Sequence, residues 1–233
     1  MPPVNRKLII MAKAPRLGSV KTRLAKSLSV QAVTELYGCL LSDTIAMVQT
    51  LDQVGIAIMC PATDVQDLSL AVANTIRVVP QTGNGLAAAL DSVFEQFAAV
   101  GGPGAIAFNS DSPHLPASVL ETAFDVLETC DLVIGPTHDG GYYLVGAKAS
   151  HPGLFTSEGM GTATALEALL ARASSLQLSV RVIDPFYDID VAADLSQLAD
   201  ELQLAPERAP RTAAWLVKWR RALAEQRSGI GAP

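Results

Sequence analysis

Basic residues are concentrated near the start of the chain, where they can form an anion-binding site. Seven of the 17 lysines and arginines lie in the first 26 positions, and the first acidic residue is Glu35. Pro15 and Gly18 predict turns within the segment 13–25. A polyphosphate suits these cations because no carboxylate lies beside them, and the alternative is a solvated basic loop. The candidate ligand-binding cations are Lys13, Lys21 and Arg23.

Carboxylates follow two of the apolar runs. Asp111 lies in a polar turn after the run that ends at Phe108, and it is a natural metal ligand, with a capping role as the alternative. Asp188 and Asp190 follow the run that ends at Ile183. Side chains alternate along extended backbone, so both carboxylates fall on one side and can share a cation. Their hard oxygen atoms suit Mg²⁺ or Mn²⁺.

Three familiar site motifs are excluded. The basic segment is not a P-loop, because Pro15 and Val20 stand where that motif requires glycine. An EF-hand loop over 188–199 is excluded, because Ala193 and Ala199 stand where it requires glycine and glutamate. The three cysteines are too few and too far apart for a zinc site or a disulfide framework.

Two glycine-rich loops and two histidines occupy other polar segments. Residues 83–85, Gly-Asn-Gly, precede a predicted helix and can present backbone N–H groups to an anion, although a simple cap explains them equally well. The glycines of 135–141 let the backbone approach a ligand closely, but the Asp-Gly pair at 139–140 also signals a plain hairpin turn. His114 and His138 are expected to be solvated loop residues without a catalytic role.

Elements that position these loops follow from the hydrophobic pattern. Apolar runs predict strands at 8–12, 54–60, 76–79, 105–108, 132–134, 142–145 and 180–183. Helical spacing predicts helices at 29–50, 86–100, 117–129, 163–173 and 191–202. Strands that alternate with helices indicate a mostly parallel sheet covered on both faces, hence the α/β class. Ligands are expected at the carboxyl ends of its strands.

Composition limits the number of domains and the classes of partner. The 233 residues are 49% hydrophobic and 17% charged, which predicts one globular domain over 1–233 with a C-terminal helix at about 207–226. The apolar runs are shorter than the roughly 20 residues of a membrane helix. The net charge of −6 argues against nucleic-acid binding. We expect a cytoplasmic protein with neither membrane nor nucleic acid as partner.

Four motifs in chain order resemble the DUF2064 group of GT-A-fold, nucleotide-diphospho-sugar-transferase-like proteins. They span about 13–195, most of the chain, and their joint presence in this order is specific for the family. The motifs are Lys-x-Pro-x-x-Gly-x-x-Lys-Thr-Arg-Leu from 13, Ser-Asp-Ser-Pro-x-Leu-Pro from 110, Gly-Pro-x-x-Asp-Gly-Gly-Tyr-Tyr-Leu from 135 and Asp-x-Asp-x-x-x-Asp-Leu from 188. Relatives include the molybdenum-cofactor and 2-phospholactate nucleotidyltransferases and NDP-sugar glycosyltransferases.

The resemblance implies a GT-A (Rossmann-like) three-layer α/β/α sandwich and a set of site residues. Asp111, with Asp188 and Asp190, would hold Mg²⁺ or Mn²⁺. The catalytic residues would be Lys21, Arg23 and Asp111, and the acceptor loop would be Asp139, Gly140, Gly141 and Tyr142. The nucleotide-binding residues would be Lys13, Pro15, Gly18, Lys21, Arg23, Gly83, Asn84, Gly85 and Ser110.

The predicted function is nucleotidyl transfer from an NTP to a small phosphorylated or sugar acceptor, because three cations in the first loop suit a triphosphate. One alternative is an NDP-sugar glycosyltransferase, which uses the same fold and metal. Another is a non-catalytic nucleotide-binding protein, because the segment 160–163 lacks a tryptophan that is usual there in the family. Self-association into a homo-oligomer is possible in each case.

Overall fold

The computed structural model describes residues 6–73, 75–98 and 102–229, with side chains of the last helix described as far as Arg220. Its strands are β1 (Arg6–Met11), β2 (Val54–Cys60), β3 (Arg77–Pro80), β4 (Ala105–Asn109), β5 (Leu132–Pro136), β6 (Tyr142–Ala147) and β7 (Val180–Val182). Its α-helices are α1 (Val30–Val48), α2 (Val65–Ala71), α3 (Gly85–Phe97), α4 (Ala117–Leu127), α5 (Ala165–Ser175), α6 (Ala192–Leu204) and α7 (Pro210–Gly229).

One sheet contains the seven strands, in the order β3-β2-β1-β4-β6-β5-β7. Neighbouring strands are parallel except where β6 pairs antiparallel with β4 and with β5. Central β1 places Ile9 beside Ala57 of β2 and Ala107 of β4. The prediction of a mostly parallel sheet is confirmed, and each strand lies within two residues of its predicted bounds.

All six predicted helices are also found, with somewhat different bounds. Ser29 caps α1, as its hydroxyl accepts a hydrogen bond from the N–H of Ala32 at 3.2 Å. Helix α3 ends at Phe97, whereas the prediction continued to 100; positions 99–100 lie outside the described residues. Helix α2 was not predicted, because its seven residues complete only two turns and show little periodicity.

The sheet packs its apolar side chains against helices. Ile9, Val93 of α3 and Leu169 of α5 belong to one buried cluster on one face of the sheet. Phe94 of the same helix stacks on Phe155, with ring centroids 5.4 Å apart. Helix α4 packs against β5 and β6. Burial of both faces explains why the central strands appear in the sequence as continuous apolar runs rather than alternating ones.

The chain divides into two compact units. The first, Met1–Ala14, Val48–Ser110 and Leu115–Asp188, contains the seven-stranded sheet. The second consists of Pro15–Met47, Asp111–His114 and Ile189–Pro233. Because the chain passes between these units several times, the second lacks the single linker of an independent domain. The expectation of one domain over 1–233 therefore stays a prediction.

A buried carboxylate joins two helices of the second unit. Asp43 of α1, 2% exposed, accepts hydrogen bonds from the backbone N–H groups of Arg211 and Thr212 at 3.3 and 2.8 Å. These groups lie in the first turn of α7, where N–H groups have no partner within the helix. Further along, Trp215 and Trp219 stack with centroids 6.2 Å apart. No helix in the described ranges has both the length and the apolar character of a membrane span.

Asp43→Ala should lower the free energy of unfolding by about 1–2 kcal/mol, because it removes both hydrogen bonds that cap α7. Urea denaturation followed by circular dichroism measures this change. The matched control is Asp52→Ala, which removes an exposed carboxylate and should change the free energy by less than about 0.5 kcal/mol. Equal shifts for the two variants would show that Asp43 does not hold α7.

Candidate functional site

The lysine of the first loop lies between two carboxylates. Lys21 Nζ is 2.8 Å from Asp111 Oδ2 and 2.8 Å from Asp190 Oδ1. The lysine side chain is only 5% exposed, whereas the two carboxylates are 22% and 32% exposed. Three segments that are far apart in sequence therefore meet at one ammonium group, all of them within the second unit.

Each member of this cluster is positioned by local structure. Asp111 follows the end of β4 by two residues, and Asp190 lies two residues before α6. In the first turn of α6, Asp194 Oδ2 accepts hydrogen bonds from the backbone N–H groups of Asp190 at 2.8 Å and Val191 at 2.7 Å. This cap fixes the backbone that carries the Asp190 carboxylate.

The backbone of Lys21 is in the left-handed region, with φ +45°. Non-glycine residues adopt this conformation rarely, at a cost of order 1 kcal/mol, and it persists where surrounding contacts enforce it. At Lys21 the enforcing contacts on the side chain are the two ion pairs. Strain and burial thus coincide at one residue of the predicted site.

Charge in the cluster is nearly balanced. Burial alone lowers the pKa of Lys21, but the charges and hydrogen bonds of Asp111 and Asp190 raise it by more, so the pKa lies above its ordinary value. Lys21 is accordingly an ammonium at neutral pH. Arg23 Nη1 adds a second cation 3.2 Å from Asp190 Oδ2, but this side chain is 57% exposed and its ion pair contributes little to stability.

Two converging carboxylates fit a hard divalent cation. Within the described part of the chain, no three carboxylate, imidazole or thiol groups are placed to hold a metal ion. Mg²⁺ usually needs only one or two protein carboxylates, since waters and substrate phosphates complete its coordination. Asp111 and Asp190 already share one cationic group, the ammonium of Lys21, so their oxygen atoms suit that arrangement. The participation of Asp188 stays a prediction.

The loop that precedes α3 has a fixed backbone. Gly83 and Gly85 have φ values of +75° and +85°, which glycine adopts without steric penalty. The side-chain amide of Gln81 donates to the carbonyl oxygen of Gly83 at 3.1 Å. Buried Ser92 of α3 accepts a hydrogen bond from the N–H of Thr82 at 2.8 Å. The loop is therefore held by its own hydrogen bonds and by one to α3, and its contact with a nucleotide stays a prediction.

The predicted acceptor loop is a hairpin turn between β5 and β6. Its hydrogen bonds are local: Thr137 Oγ1 donates to Asp139 Oδ1 at 2.5 Å, and the N–H of Gly141 donates to the same oxygen at 3.3 Å. This geometry is that of a plain hairpin turn, the alternative that the Asp-Gly pair indicated. A role in acceptor binding stays a prediction for the loop, including Tyr142 at the start of β6.

This hairpin is packed against a second segment of the first unit. The N–H of Leu166 donates to the carbonyl oxygen of Gly140 at 3.0 Å. A Cβ atom on Gly140 would lie 1.9 Å from the carbonyl oxygen of Ala163. Tyr142 OH donates to Met160 Sδ at 3.1 Å. The hairpin and the segment 160–166 consequently form one ordered surface, a pairing that spacing along the sequence did not indicate.

His114 differs from the expectation of a solvated loop histidine. It is fully buried, and burial together with the positive charge of Arg208 lowers its pKa to about 3. The guanidinium of Arg208 donates to the carbonyl oxygen of His114. The expectation was wrong because the tertiary structure buries this turn, and Arg208, 94 positions away, is one of the residues in contact with it. His138 is exposed, as expected.

Asp64 holds the start of the basic loop and was not among the predicted site residues. This buried carboxylate follows β2, and its Oδ2 accepts a hydrogen bond from the N–H of Ala14 at 2.9 Å. Ala14 is the last residue of the first unit before the loop. Its position shortly after an apolar run could have identified Asp64 from the sequence, since the same signal identified Asp111.

Comparisons with known proteins establish the family and the fold. The family model described as an uncharacterized protein conserved in bacteria, DUF2064, matches residues 44–162. No curated protein matches the chain.

Several solved structures share the architecture. A protein from Desulfovibrio desulfuricans G20, provisionally assigned as a nucleotide-diphospho-sugar transferase, is 24% identical with a TM-score of 0.84, over 95% of this chain and 97% of that one. The 4-diphosphocytidyl-2C-methyl-D-erythritol synthase of Anaerococcus prevotii DSM 20548 is 12% identical with a TM-score of 0.57, over 85% and 96%. Rv0371c of Mycobacterium tuberculosis H37Rv is 16% identical with a TM-score of 0.52, over 85% and 99%. The expected GT-A-like α/β sandwich is confirmed.

Lys21→Gly should be more stable than Lys21→Ala by about 1 kcal/mol, because both variants lose the ion pairs but only glycine adopts φ +45° without strain. Urea denaturation of the two variants measures the difference. At Lys26, which lies in a helical turn, alanine should be the more stable of the same two substitutions. Equal stability of the two Lys21 variants would show that the backbone at position 21 is not strained.

His114 should make the protein less stable in acid. Its folded pKa of about 3 lies below the ordinary 6.5, so the unfolded chain binds more protons between these values. Stability is then lost as pH falls below about 6.5, by about 1.4 kcal/mol per pH unit. His114→Gln should flatten the dependence measured by urea denaturation from pH 7 to 4, with His138→Gln as the control. An unchanged slope would contradict burial of a neutral imidazole.

Proposed function

The chain belongs to the DUF2064 family, and we propose that it is a metal-dependent transferase that moves a nucleotidyl group from an NTP to a small phosphorylated or sugar acceptor. The observation that carries this proposal is the cluster of Lys21, Asp111 and Asp190. A buried cation and two carboxylates that fit a divalent metal are the equipment that phosphoryl-type transfer requires. The GT-A-like fold, which several nucleotide-using enzymes share, supports it.

Electrostatic stabilisation is the main task in this chemistry. Negative charge develops on the leaving pyrophosphate in the transition state, and preformed cations stabilise it without reorganising solvent. Lys21 and Arg23 are the proposed cations. Asp111 and Asp190 would hold Mg²⁺ or Mn²⁺, which when bound neutralises charge on phosphate oxygens. No covalent nucleophile is needed, which agrees with the neutral, buried His114.

The other site residues belong to the same proposal. Asp188 is proposed to assist at the metal, and the hairpin residues Asp139, Gly140, Gly141 and Tyr142 are proposed to contact the acceptor. The nucleotide contacts are proposed to come from Lys13, Pro15, Gly18, Gly83, Asn84, Gly85 and Ser110, together with the two catalytic cations. What supports Gly83 and Gly85 is their left-handed backbone at the N-terminus of α3, where N–H groups lack helical partners.

Triphosphate donors are preferred over NDP-sugars because of the number of cations in the first loop. Two of the three candidate cations, Lys21 and Arg23, lie in the carboxylate cluster, and Lys13 lies before the turn. The carboxylates that meet Lys21 and Arg23 in the fold offset their charge, so this preference requires that a metal takes up the carboxylates. The cations then favour a triphosphate, which carries more negative charge than a diphosphate sugar. The class of released product separates the two reactions, since only nucleotidyl transfer releases pyrophosphate.

Asp111→Asn should lower kcat/KM by about 100-fold or more, because it removes a charge from the proposed metal site. The assay measures pyrophosphate released from each NTP with Mn²⁺ and a panel of phosphorylated and sugar acceptors.

Arg23→Gln should lower kcat more than it raises KM, since the charge that it meets develops in the transition state. The charge-matched control for Asp111→Asn is Glu121→Gln at an exposed position of α4, which should leave turnover unchanged.

Two outcomes would overturn this proposal. Release of nucleoside diphosphate from NDP-sugars, with no pyrophosphate from any NTP, would assign the protein to the glycosyltransferases. Nucleotide binding by calorimetry, with no turnover on either class of donor and no effect of Asp111→Asn in the cell, would assign a non-catalytic nucleotide-binding role.

A further inference from the structure

The ammonium of Lys21 occupies the place between Asp111 and Asp190 where a shared metal would lie. We propose that Lys21 is an internal counter-ion that competes with the metal for these carboxylates and gives them up when nucleotide phosphates bind its ammonium. Metal and nucleotide would then each strengthen the binding of the other. This inference rests on the proposed function, because it concerns the same two carboxylates.

Geometry prevents the ammonium and a metal ion from sharing the same pair of carboxylate oxygens. Lys21 Nζ lies 2.8 Å from one oxygen of each carboxylate, so it occupies the space between them. Mg²⁺ binds oxygen at about 2.0–2.1 Å. An ion bound to the same two oxygens would therefore overlap the ammonium or lie against it, with strong repulsion between like charges at such short range. A metal at these two oxygens therefore excludes the ammonium, and the other oxygen of Asp190 is already 3.2 Å from Arg23 Nη1.

The lysine is the part that can move. Asp194 accepts hydrogen bonds from the backbone N–H groups of Asp190 and Val191, whereas the ammonium of Lys21 is carried on a flexible four-carbon stem. The carboxylates are also more exposed than the lysine, which leaves them a side open to solvent and to an incoming ion. Release of the two carboxylates would also let the left-handed backbone at Lys21 relax.

A phosphate group offers Lys21 an equivalent partner. Hydrogen bonds from an ammonium to phosphate are charge-assisted, as are those to carboxylate, so transfer from one to the other loses few interactions. Without nucleotide, a metal must displace Lys21 with no such replacement and should bind weakly. By thermodynamic linkage, the factor by which nucleotide strengthens metal binding equals the factor by which metal strengthens nucleotide binding.

Mn²⁺ binding without nucleotide tests the competition directly. Electron paramagnetic resonance of free Mn²⁺ gives the affinity of the wild-type protein and of each variant, after circular dichroism has confirmed folding. Lys21→Met should bind Mn²⁺ about tenfold or more tightly than wild type, a factor in the usual range for coupled sites. Lys21→Gly, which relieves the backbone strain, should show the same gain.

Matched variants separate competition from a general loss of positive charge. Lys26→Met removes one cation from an exposed position in the same segment and should change the Mn²⁺ affinity by less than about twofold. Adding Asp111→Asn to Lys21→Met should abolish the gain. Unchanged or weaker Mn²⁺ binding by both Lys21 variants would overturn the inference, as would an equal gain from Lys26→Met.

A second readout follows the lysine itself. Acetylation by an amine-reactive ester, quantified by peptide mass spectrometry, should be slow at buried Lys21 and faster when Mn²⁺ is added, relative to Lys26 in the same sample. Labelling of Lys21 that Mn²⁺ leaves unchanged would overturn the inference. Neither readout needs turnover, so failure of the proposed transferase activity is recorded separately: that activity is judged by pyrophosphate release, and the competition by Mn²⁺ binding and acetylation.

Discussion

Burial of one ammonium group is the constraint on which this site depends. A charged amine removed from water is unfavourable unless it is paired and hydrogen-bonded, and Lys21 meets that requirement only because two carboxylates reach it. One of its partners, Asp190, lies 169 positions further along the chain. The segments that carry these three residues must therefore be placed accurately before the charge can be tolerated.

Hydrogen bonds between backbone N–H groups and carboxylates outside the cluster provide that accuracy. A helix cap fixes the backbone of Asp190, through Asp194, and a buried carboxylate, Asp64, fixes the backbone of Ala14 just before the basic loop. Asp43 fixes the start of α7, the helix that completes the second unit. In each case a carboxylate accepts backbone N–H groups that secondary structure leaves unpaired. The same chemical device thus recurs at three places, and none of these carboxylates needs to contact a ligand.

Much of the architecture was predictable from the sequence because burial determines hydrophobic pattern. Strands such as Leu8 to Ile10 are apolar on both faces, and Asp111 and Asp190 were identified because polar residues just beyond such runs fall at the carboxyl ends of strands. Short α2 has too few turns for periodicity to emerge. The burial of His114 arises from tertiary packing, in which distant Arg208 contacts the turn. The left-handed backbone of Lys21 had no signal either, since glycine is the usual mark of that conformation.

The contact between Gly140 and the segment that leads into α5 depends on backbone atoms alone. One hydrogen bond joins the carbonyl oxygen of Gly140 to the N–H of Leu166, and the atom that a Cβ on the glycine would meet first is the carbonyl oxygen of Ala163. Most substitutions in the segment preserve such atoms, proline at 166 being the exception. Exposed Ala163 contributes only backbone atoms to this contact, whereas Met160 of the same segment accepts a hydrogen bond from Tyr142 through its sulfur. A change of side chain at 163 therefore alters the chemical character of this rim without disturbing the backbone contact.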